Sequence, residues 1–340
     1  MNKWYTAKGE HNDVILSTRV RFARNLENFP FPCRLDADGK EAVCMTVKEA
    51  LADVSGIKLH YIDMNDLTEK QAVGLAERHL ISPEFTSGGK GRALLLSEDE
   101  SVSIMLCEED HIRIQVIKGG LDLEGAYDLA NKIDDLLDSK LKYAFDERIG
   151  YLTQCPTNIG TGMRASVMMH LPGLTLTKRL GILDQLGNFG MTVRGLFGEG
   201  SQSVGDLYQI SNQSAIGQSE KDILTNLKSV TQQIIKEERN ARNFLKEQNG
   251  LRLSDKIWRA YGTLSNARYM SSREALELIS LVRLGYHLGY FTDLESKQVD
   301  QLYLMAQPGY LQVVYGHDMD EVARDSYRAA KLRTAIKGDE

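Results

Sequence analysis

Residues 93–118 read ALLLSEDESVSIMLCEEDHIRIQVIK. Three apolar runs, 93–97, 101–107 and 111–118, are separated by Glu98-Asp99-Glu100 and Glu108-Glu109-Asp110. Turns this short join antiparallel neighbours, because a parallel crossover needs a dozen residues or more. The pattern therefore predicts hairpins and an antiparallel sheet. In the third run Ile112, Ile114 and Val116 share one face, the expected core face. His111, Arg113 and Gln115 share the other, which must meet water or a ligand.

Outward from these strands, helical periodicity covers 42–53, 68–80 with Thr68 as N-cap, and 122–141. Residues 86–92 form a Gly-rich loop. Residues 148–153 read as a strand halted by Pro156, followed by short Gly-rich elements to 205 and a strand at 204–211. A long helix spans 219–248. Ser219 caps it with Asp222 three residues on, and Asn249-Gly250 should end it. Beyond Leu251 strand signals vanish. Helical patterns occupy 254–264, 271–288, 293–306 and 318–336, and Ser271 with Glu274 makes a capping box. The expected class is α+β over residues 14–245, then a small all-α domain over 251–340.

The chain has 340 residues, enough for about two domains. Its 41 Lys+Arg against 47 Asp+Glu give a net charge of −6, which argues against general nucleic-acid binding but permits a local basic pocket. Cys33, Cys44, Cys107 and Cys155 contain no C-x-x-C pair, so a zinc site or thioredoxin-type pair is not expected. Residues 1–14 are polar, unlike a signal peptide. No apolar run approaches the ~18 residues of a membrane span. A cytoplasmic chain with reduced thiols is expected.

Four segments carry candidate chemistry. In Ser17-Thr18-Arg19-Val20-Arg21-Phe22-Ala23-Arg24-Asn25, Arg19 and Arg21 leave one face of an extended segment as a phosphate fork. Taken alone, the run reads first as a solvated basic edge strand. Glu109 sits at a hairpin mouth, where a carboxylate can orient a cation and accept its proton; alone it is an ordinary acidic turn. Cys155-Pro156-Thr157-Asn158-Ile159-Gly160-Thr161 is a tight turn whose thiol nearby cations would activate, although a lone cysteine is commonly inert. Arg164 follows on what reads as a helix start. Arg194-Gly195-Leu196-Phe197-Gly198-Glu199 adds a cation, close-approach glycines and a carboxylate. Gly160-x-Gly162-x-x-Ala165 with Asp184 downstream is a partial dinucleotide fingerprint, but no αβ alternation surrounds it. Walker A and protein-kinase motifs are absent, so a triphosphate would have to be held by arginines: Arg19, Arg21, Arg113, Arg164 and Arg194.

In this order the segments resemble the catalytic domain of the phosphagen (guanidino) kinases, over residues 14–241. Cys155–Thr161 matches that family's active-site signature in full. The resemblance implies an antiparallel sheet flanked by helices and ATP-dependent transfer to a guanidinium nitrogen, with Mg2+ held mainly by the nucleotide. It implies a nucleotide site formed by Ser17, Thr18, Arg19, Val20 and Arg21, by Arg113, by Arg164, Ala165, Ser166, Val167 and Met168, and by Arg194, Gly195, Leu196, Phe197, Gly198 and Glu199. It makes Glu109 the catalytic base, with Cys155 beside the guanidinium and Glu199 a second carboxylate there.

Family members acting on free metabolites carry an extra N-terminal helical domain, and with a first motif at Ser17 none is expected here. With the helical region after Gly250, this narrows the resemblance to the bacterial protein-arginine kinases. Arg324-Asp325-Ser326-Tyr327-Arg328-Ala329 matches their phosphoarginine-binding, regulatory motif, with Arg324 and Arg328 on one helix face. The implied setting is cytoplasmic stress response and protein quality control. The implied partners are arginine-bearing substrate proteins, a Clp-type ATPase/protease, a heat-shock repressor, an activating adaptor (McsA) and further copies of the chain, with no membrane or nucleic acid. Three alternatives remain: a kinase of free arginine or another small guanidino compound, a non-enzymatic phosphoarginine adaptor, and a dinucleotide-dependent enzyme.

Overall fold

In the computed structural model the described residues are 3–7, 9–52, 56–195, 203–292 and 294–337. Eight strands form one antiparallel sheet: β1 (Ile15–Arg24), β2 (Leu59–Asp63), β3 (Ala93–Ser97), β4 (Val102–Leu106), β5 (Ile112–Gly119), β8 (Met163–His170), β9 (Met191–Gly195) and β10 (Leu207–Asn212). Their order is β2-β3-β4-β5-β1-β8-β10-β9. A separate two-residue hairpin pairs β6 (Phe145–Asp146) with β7 (Gly150–Tyr151). The helices are α1 (Ala37–Ala50), α2 (Glu69–Glu77), α3 (Leu123–Asp138), the short α4 (Pro172–Leu176) and α5 (Gly181–Asp184), then α6 (Glu220–Asn266), α7 (Ser272–His287), α8 (Ser296–Met305), α9 (Pro308–Tyr315) and α10 (Glu321–Lys337).

The period of two expected from residues 93–118 governs the sheet. Val20, Phe22, Ile104, Ile112, Ile114, Val116, Ala165, Val167 and Ile210 all point to one face, where α1, α3 and the first half of α6 bury them. At the β3–β5 end of the other face, Leu94, Met105 and Ile117 meet Trp4 and α2. Beyond them that face carries polar and cationic residues. A further core belongs to α6 after Leu245 and to α7, α8 and α10, joined by Val204 and Leu207 at the sheet's end.

Local signals explain most boundaries. Thr68 and Gln71 form a full capping box on α2, and Ser219 and Asp222 another on α6. Four expectations need correction. Arg164 does not open a helix but lies in β8, because Met163, Ala165, Val167 and Met169 alternate into the core; methionine and alanine, good helix formers, disguise the period of two. The strand expected at 148–153 shrinks to Gly150–Tyr151, because the Asp146 carboxylate accepts the Arg148 and Ile149 N–H groups and makes a turn there. Asn249 kinks α6 (φ −136°, ψ 28°) without ending it, and Gly250 does not turn left-handed. Continuation of the helix places Leu253, Ile257, Ala260 and Leu264 in the helical core. At α7 Ser271 accepts the Glu274 N–H, but the reciprocal half of the box is not made. The sequence reading missed β2, β9 and α9, all short.

Candidate active site

The cationic face follows from strand order. Arg113 lies on β5, Arg19 and Arg21 on β1, Arg164 on β8 and Arg194 on β9, along five successive strands in which only β10 lacks an arginine. On β1, Arg21 sits opposite Arg164 of β8 and Gln115 of β5. β10 contributes Gln209, whose side-chain oxygen accepts a 2.8 Å hydrogen bond from Arg19. The five arginines line one cleft of about 1520 Å3. Burial pushes the Arg19 guanidinium down to about 10, with Arg113 and Arg164 adding repulsion. Burial likewise holds Arg21 well below the usual arginine range, and Arg19, Arg113 and Arg164 add to it. Arg164 is lowered by burial and then by Arg194. So much like charge in a half-buried cleft is a site prepared for a polyanion.

At the β5 end two carboxylates meet this field. Arg113 bridges them, 2.8 Å from Glu108 and 3.0 Å from Glu109. Burial raises the Glu109 carboxyl above its ordinary range, against the opposing pull of Arg113. A smaller cavity of about 70 Å3 brings Glu109 together with Arg21, Arg113, Arg164 and Cys155. The Cys155 sulfur lies 3.1 Å from the Thr157 hydroxyl.

Two buried side chains fix Glu109 relative to Cys155. Asp110 accepts the Asn25 amide at 2.7 Å and the Gln154 N–H at 2.8 Å, tying the hairpin that carries Glu109 to the turn that carries Cys155. Asn25 also accepts the His111 N–H and donates to the Leu152 carbonyl. Both residues lie within the segments singled out from sequence. Their signal was adjacency to a charged motif residue, but only the fold shows them facing each other.

Thus Arg19, Arg21, Arg113, Arg164, Arg194, Glu109 and Cys155 converge. Gly195 lines the cleft with them. Val20, Ala165 and Val167 turn into the core under the sheet, and the Thr18 hydroxyl donates to the Gly120 carbonyl. Ser17, Ser166 and Met168 line a small cavity beside Arg19. Leu196, Phe197, Gly198 and Glu199 lie outside the described residues. The polar-face expectation for His111 is wrong: it is fully buried, with Nδ1 accepting the Leu26 N–H and Nε2 facing the Pro30 carbonyl. The cleft is also not confined to residues before Gly250. Ser272, Arg273 and Leu276 of α7, with Gln307 and Pro308 before and at the start of α9, form part of its wall.

Arg324, Asp325 and Arg328 stand apart on α10. Arg328 donates to the Ala306 and Met270 carbonyls, each at 2.8 Å, and pairs with Asp325. Arg324 is half-buried, and its Nε has no hydrogen-bond partner among the described residues.

The family model for the ATP:guanido phosphotransferase C-terminal catalytic domain matches residues 42–241, and that for the protein-arginine kinase McsB C-terminal domain matches residues 250–340. A protein-arginine kinase of Halothermothrix orenii is 46% identical over 337 residues, covering 99% of this chain and 97% of its own. One from Clostridium kluyveri is 44% identical over 343 residues, covering 99% of each. Among solved structures, a lombricine kinase superposes with a TM-score of 0.59 at 24% identity over 67% of each chain. A duplicated taurocyamine kinase from Schistosoma mansoni, with bound transition-state-analogue components, gives 0.61 at 23% identity over 90% of this chain and 47% of its own. The solved structures share the fold, and the full-length relatives extend the likeness through the helical region. The chain therefore belongs to the ATP:guanido phosphotransferase family, within its protein-arginine kinases.

Proposed function

We propose that this chain transfers the γ-phosphoryl group of ATP to the guanidinium of arginine side chains in proteins. The observation that carries the reading is a row of five arginines, answered among the described residues by the carboxylates of Glu108 and Glu109 alone, that ends at Glu109 and Cys155. Arginine is protonated up to a pKa above ~12, so it is a poor nucleophile until a carboxylate orients it and takes a proton. Glu109, raised by burial, suits that task. A guanidinium nitrogen bonds to the γ-phosphorus as the bond to the β–γ bridging oxygen breaks. The proton passes to Glu109 and ADP leaves. Arg19, Arg21, Arg113, Arg164 and Arg194 hold the phosphates throughout, which is most of what phosphoryl transfer requires. Arg113, shared with Glu108 and Glu109 in the structure, exchanges those partners for phosphate. Cys155 borders the guanidinium; the family resemblance alone gives Glu199, outside the described residues, the role of a second carboxylate.

Among the described residues no group of three His, Cys, Asp or Glu side chains could hold a metal ion. By family resemblance Mg2+ is carried mainly by the nucleotide, where it would supply further charge neutralisation. The catalytic unit is residues 14–245. In residues 251–340, Arg324, Asp325 and Arg328 bind phosphoarginine as a regulatory ligand. No helix among the described residues is long and apolar enough to cross a membrane. By family resemblance we extend the reading to a cytoplasmic stress role, in which phosphoarginine marks proteins for a Clp-type protease. A heat-shock repressor, an activating adaptor and homo-oligomers belong to the same reading.

The test is incubation with Mg·ATP and either an arginine-rich protein or free arginine. The product is mapped at neutral pH because the N–P bond is acid-labile. Phosphate on protein arginine is expected. Turnover of free arginine alone would establish the small-metabolite alternative instead.

A further inference from the structure

The turn that carries Cys155 has two sides. One side, through Thr157, Asn158 and Gly162, lines the small cavity holding Glu109 and Cys155. The other side, through Gly160 and Thr161, walls an open groove of about 580 Å3. Phe145 and Tyr151 of the β6–β7 hairpin form one bank of the groove, and Ala215 with residues 217–221 form the other. Phe145 is 56% exposed, and Ile216, at the groove's edge between the bank residues Ala215 and Gly217, is 50% exposed. Large apolar side chains grouped in the open beside a catalytic turn mark a binding surface more than a stability feature.

The floor is bare backbone. A Cβ on Gly150 would lie 2.4 Å from the Gly160 carbonyl oxygen, and one on Gly160 would lie 2.5 Å from that of Ala215. The three chain segments therefore stack at glycine distance. Tyr151 N–H donates to the Gly160 carbonyl and Thr161 N–H to the Ala215 carbonyl. Beneath them Arg24, buried and paired with Asp134, stacks 3.6 Å from the Tyr151 ring centroid and donates to the Thr161 carbonyl. The groove is thus rigid before anything binds.

We infer that this groove docks the protein substrate, taking an apolar side chain close in sequence to the target arginine. The inference rests on the protein-arginine reading above. With a target guanidinium between Glu109 and Cys155, the peptide that carries it must cross the rim formed by the Cys155 turn. The groove has the same turn as a wall. An extended chain advances ~3.3 Å per residue, so a side chain two positions from the arginine reaches the far side. The occupant is an extended segment with leucine, isoleucine or phenylalanine at that distance.

The experiment uses the full chain and two ten-residue peptides with one central arginine. One peptide is Gly/Ser throughout; the other has leucine two residues to either side of the arginine. Wild type should phosphorylate the leucine peptide with the lower KM. Phe145→Asp with Ile216→Asp should raise that KM about tenfold, the scale of losing one small apolar pocket contact. The KM for ATP and the turnover of the Gly/Ser peptide should stay unchanged. If wild type does not distinguish the peptides, or the double variant treats both as wild type does, the groove is not a substrate dock. Equal loss with both peptides would also overturn it, pointing instead to fold or to contacts between copies. If wild type phosphorylates neither peptide nor any protein, the protein-arginine reading itself fails, and the groove with it.

Discussion

Two sets of arginines in this molecule look alike in sequence and differ in physics. In the cleft, Arg19, Arg21, Arg113, Arg164 and Arg194 face one another across five successive strands, with only Gln209, Glu108 and Glu109 among the described residues to answer them. Burial and mutual repulsion disfavour the charged state of Arg19, Arg21 and Arg164. On α10, Arg328 spends its donors on two backbone carbonyls and Asp325, and it is 1% exposed. It links the residue before α7's cap, Met270, to Ala306 at the end of α8. Charge left uncompensated implies a ligand that compensates it. Charge already compensated is first a structural joint, whatever else it does.

The largest expected effect lies where the cleft charge meets its carboxylates. Glu109→Gln should lower the rate of arginine phosphorylation by ~10²–10⁴, the usual cost of losing a positioned base. Nucleotide affinity should hold, because the cleft arginines remain in place. The measurement is single-turnover phosphorylation alongside calorimetric ATP binding. A variant with normal turnover would remove Glu109 from the chemistry and leave the cleft as an anion site only.

The helical set should respond in the opposite manner, in stability before binding. Arg328→Ala strands Asp325 without its partner in a buried position, which typically costs about 3–5 kcal/mol. Denaturant unfolding of the full chain would show it. Arg324→Ala should change stability by no more than about 0.5 kcal/mol, since its Nε has no partner to lose among the described residues. Yet it should weaken phosphoarginine binding in calorimetry, because its unpaired donor is the part of the motif ready for a phosphoryl group. Wild-type binding by the Arg324 variant would place the pocket elsewhere. An undiminished Arg328→Ala would erase the contrast between the two sets.

The contrast also explains what was legible in sequence. The hairpins of 93–118, the face shared by Arg19 and Arg21, and the capped starts of α2 and α6 follow from periodicity and caps. β8 was misread at its start because methionine and alanine suit either structure and only burial decided. The Asn249 kink was misread as an end because the helical core beyond it outweighs two residues that favour stopping. His111 looked like a cleft residue because alternation gives a face, not the packing of Phe29 and the Pro30 carbonyl around its ring. The wall contributed by Ser272, Leu276 and Gln307 was out of reach, since no local signal tells a helix which distant sheet it will border. The motif at 324–329 was readable as a pattern, but its burial was not.

The smallest expected effect is a shift in pH dependence, and its sign follows from Glu109's neighbours. Burial is the main cause that raises its carboxyl, Arg113 is the main opposing one, and Asp110 and then Glu108 raise it further. The base must be ionised to accept a proton. A raised carboxyl is still protonated at pH values where an ordinary glutamate, near about 4.3, has ionised. The acid limb of kcat/KM, which reports the free enzyme, should therefore lie above the ordinary carboxylate range. Arg113→Gln keeps a donor for Glu109 but removes the positive charge, so the limb should move to higher pH. Glu108→Gln removes a like charge and should move it lower, by less, since Glu108 is the weaker influence. Opposite shifts from two neighbours of one carboxylate are hard to obtain unless that carboxylate is what titrates. A limb that stayed fixed in both variants, or moved the same way in both, would assign the ionisation to another group and leave Glu109 an orienting residue.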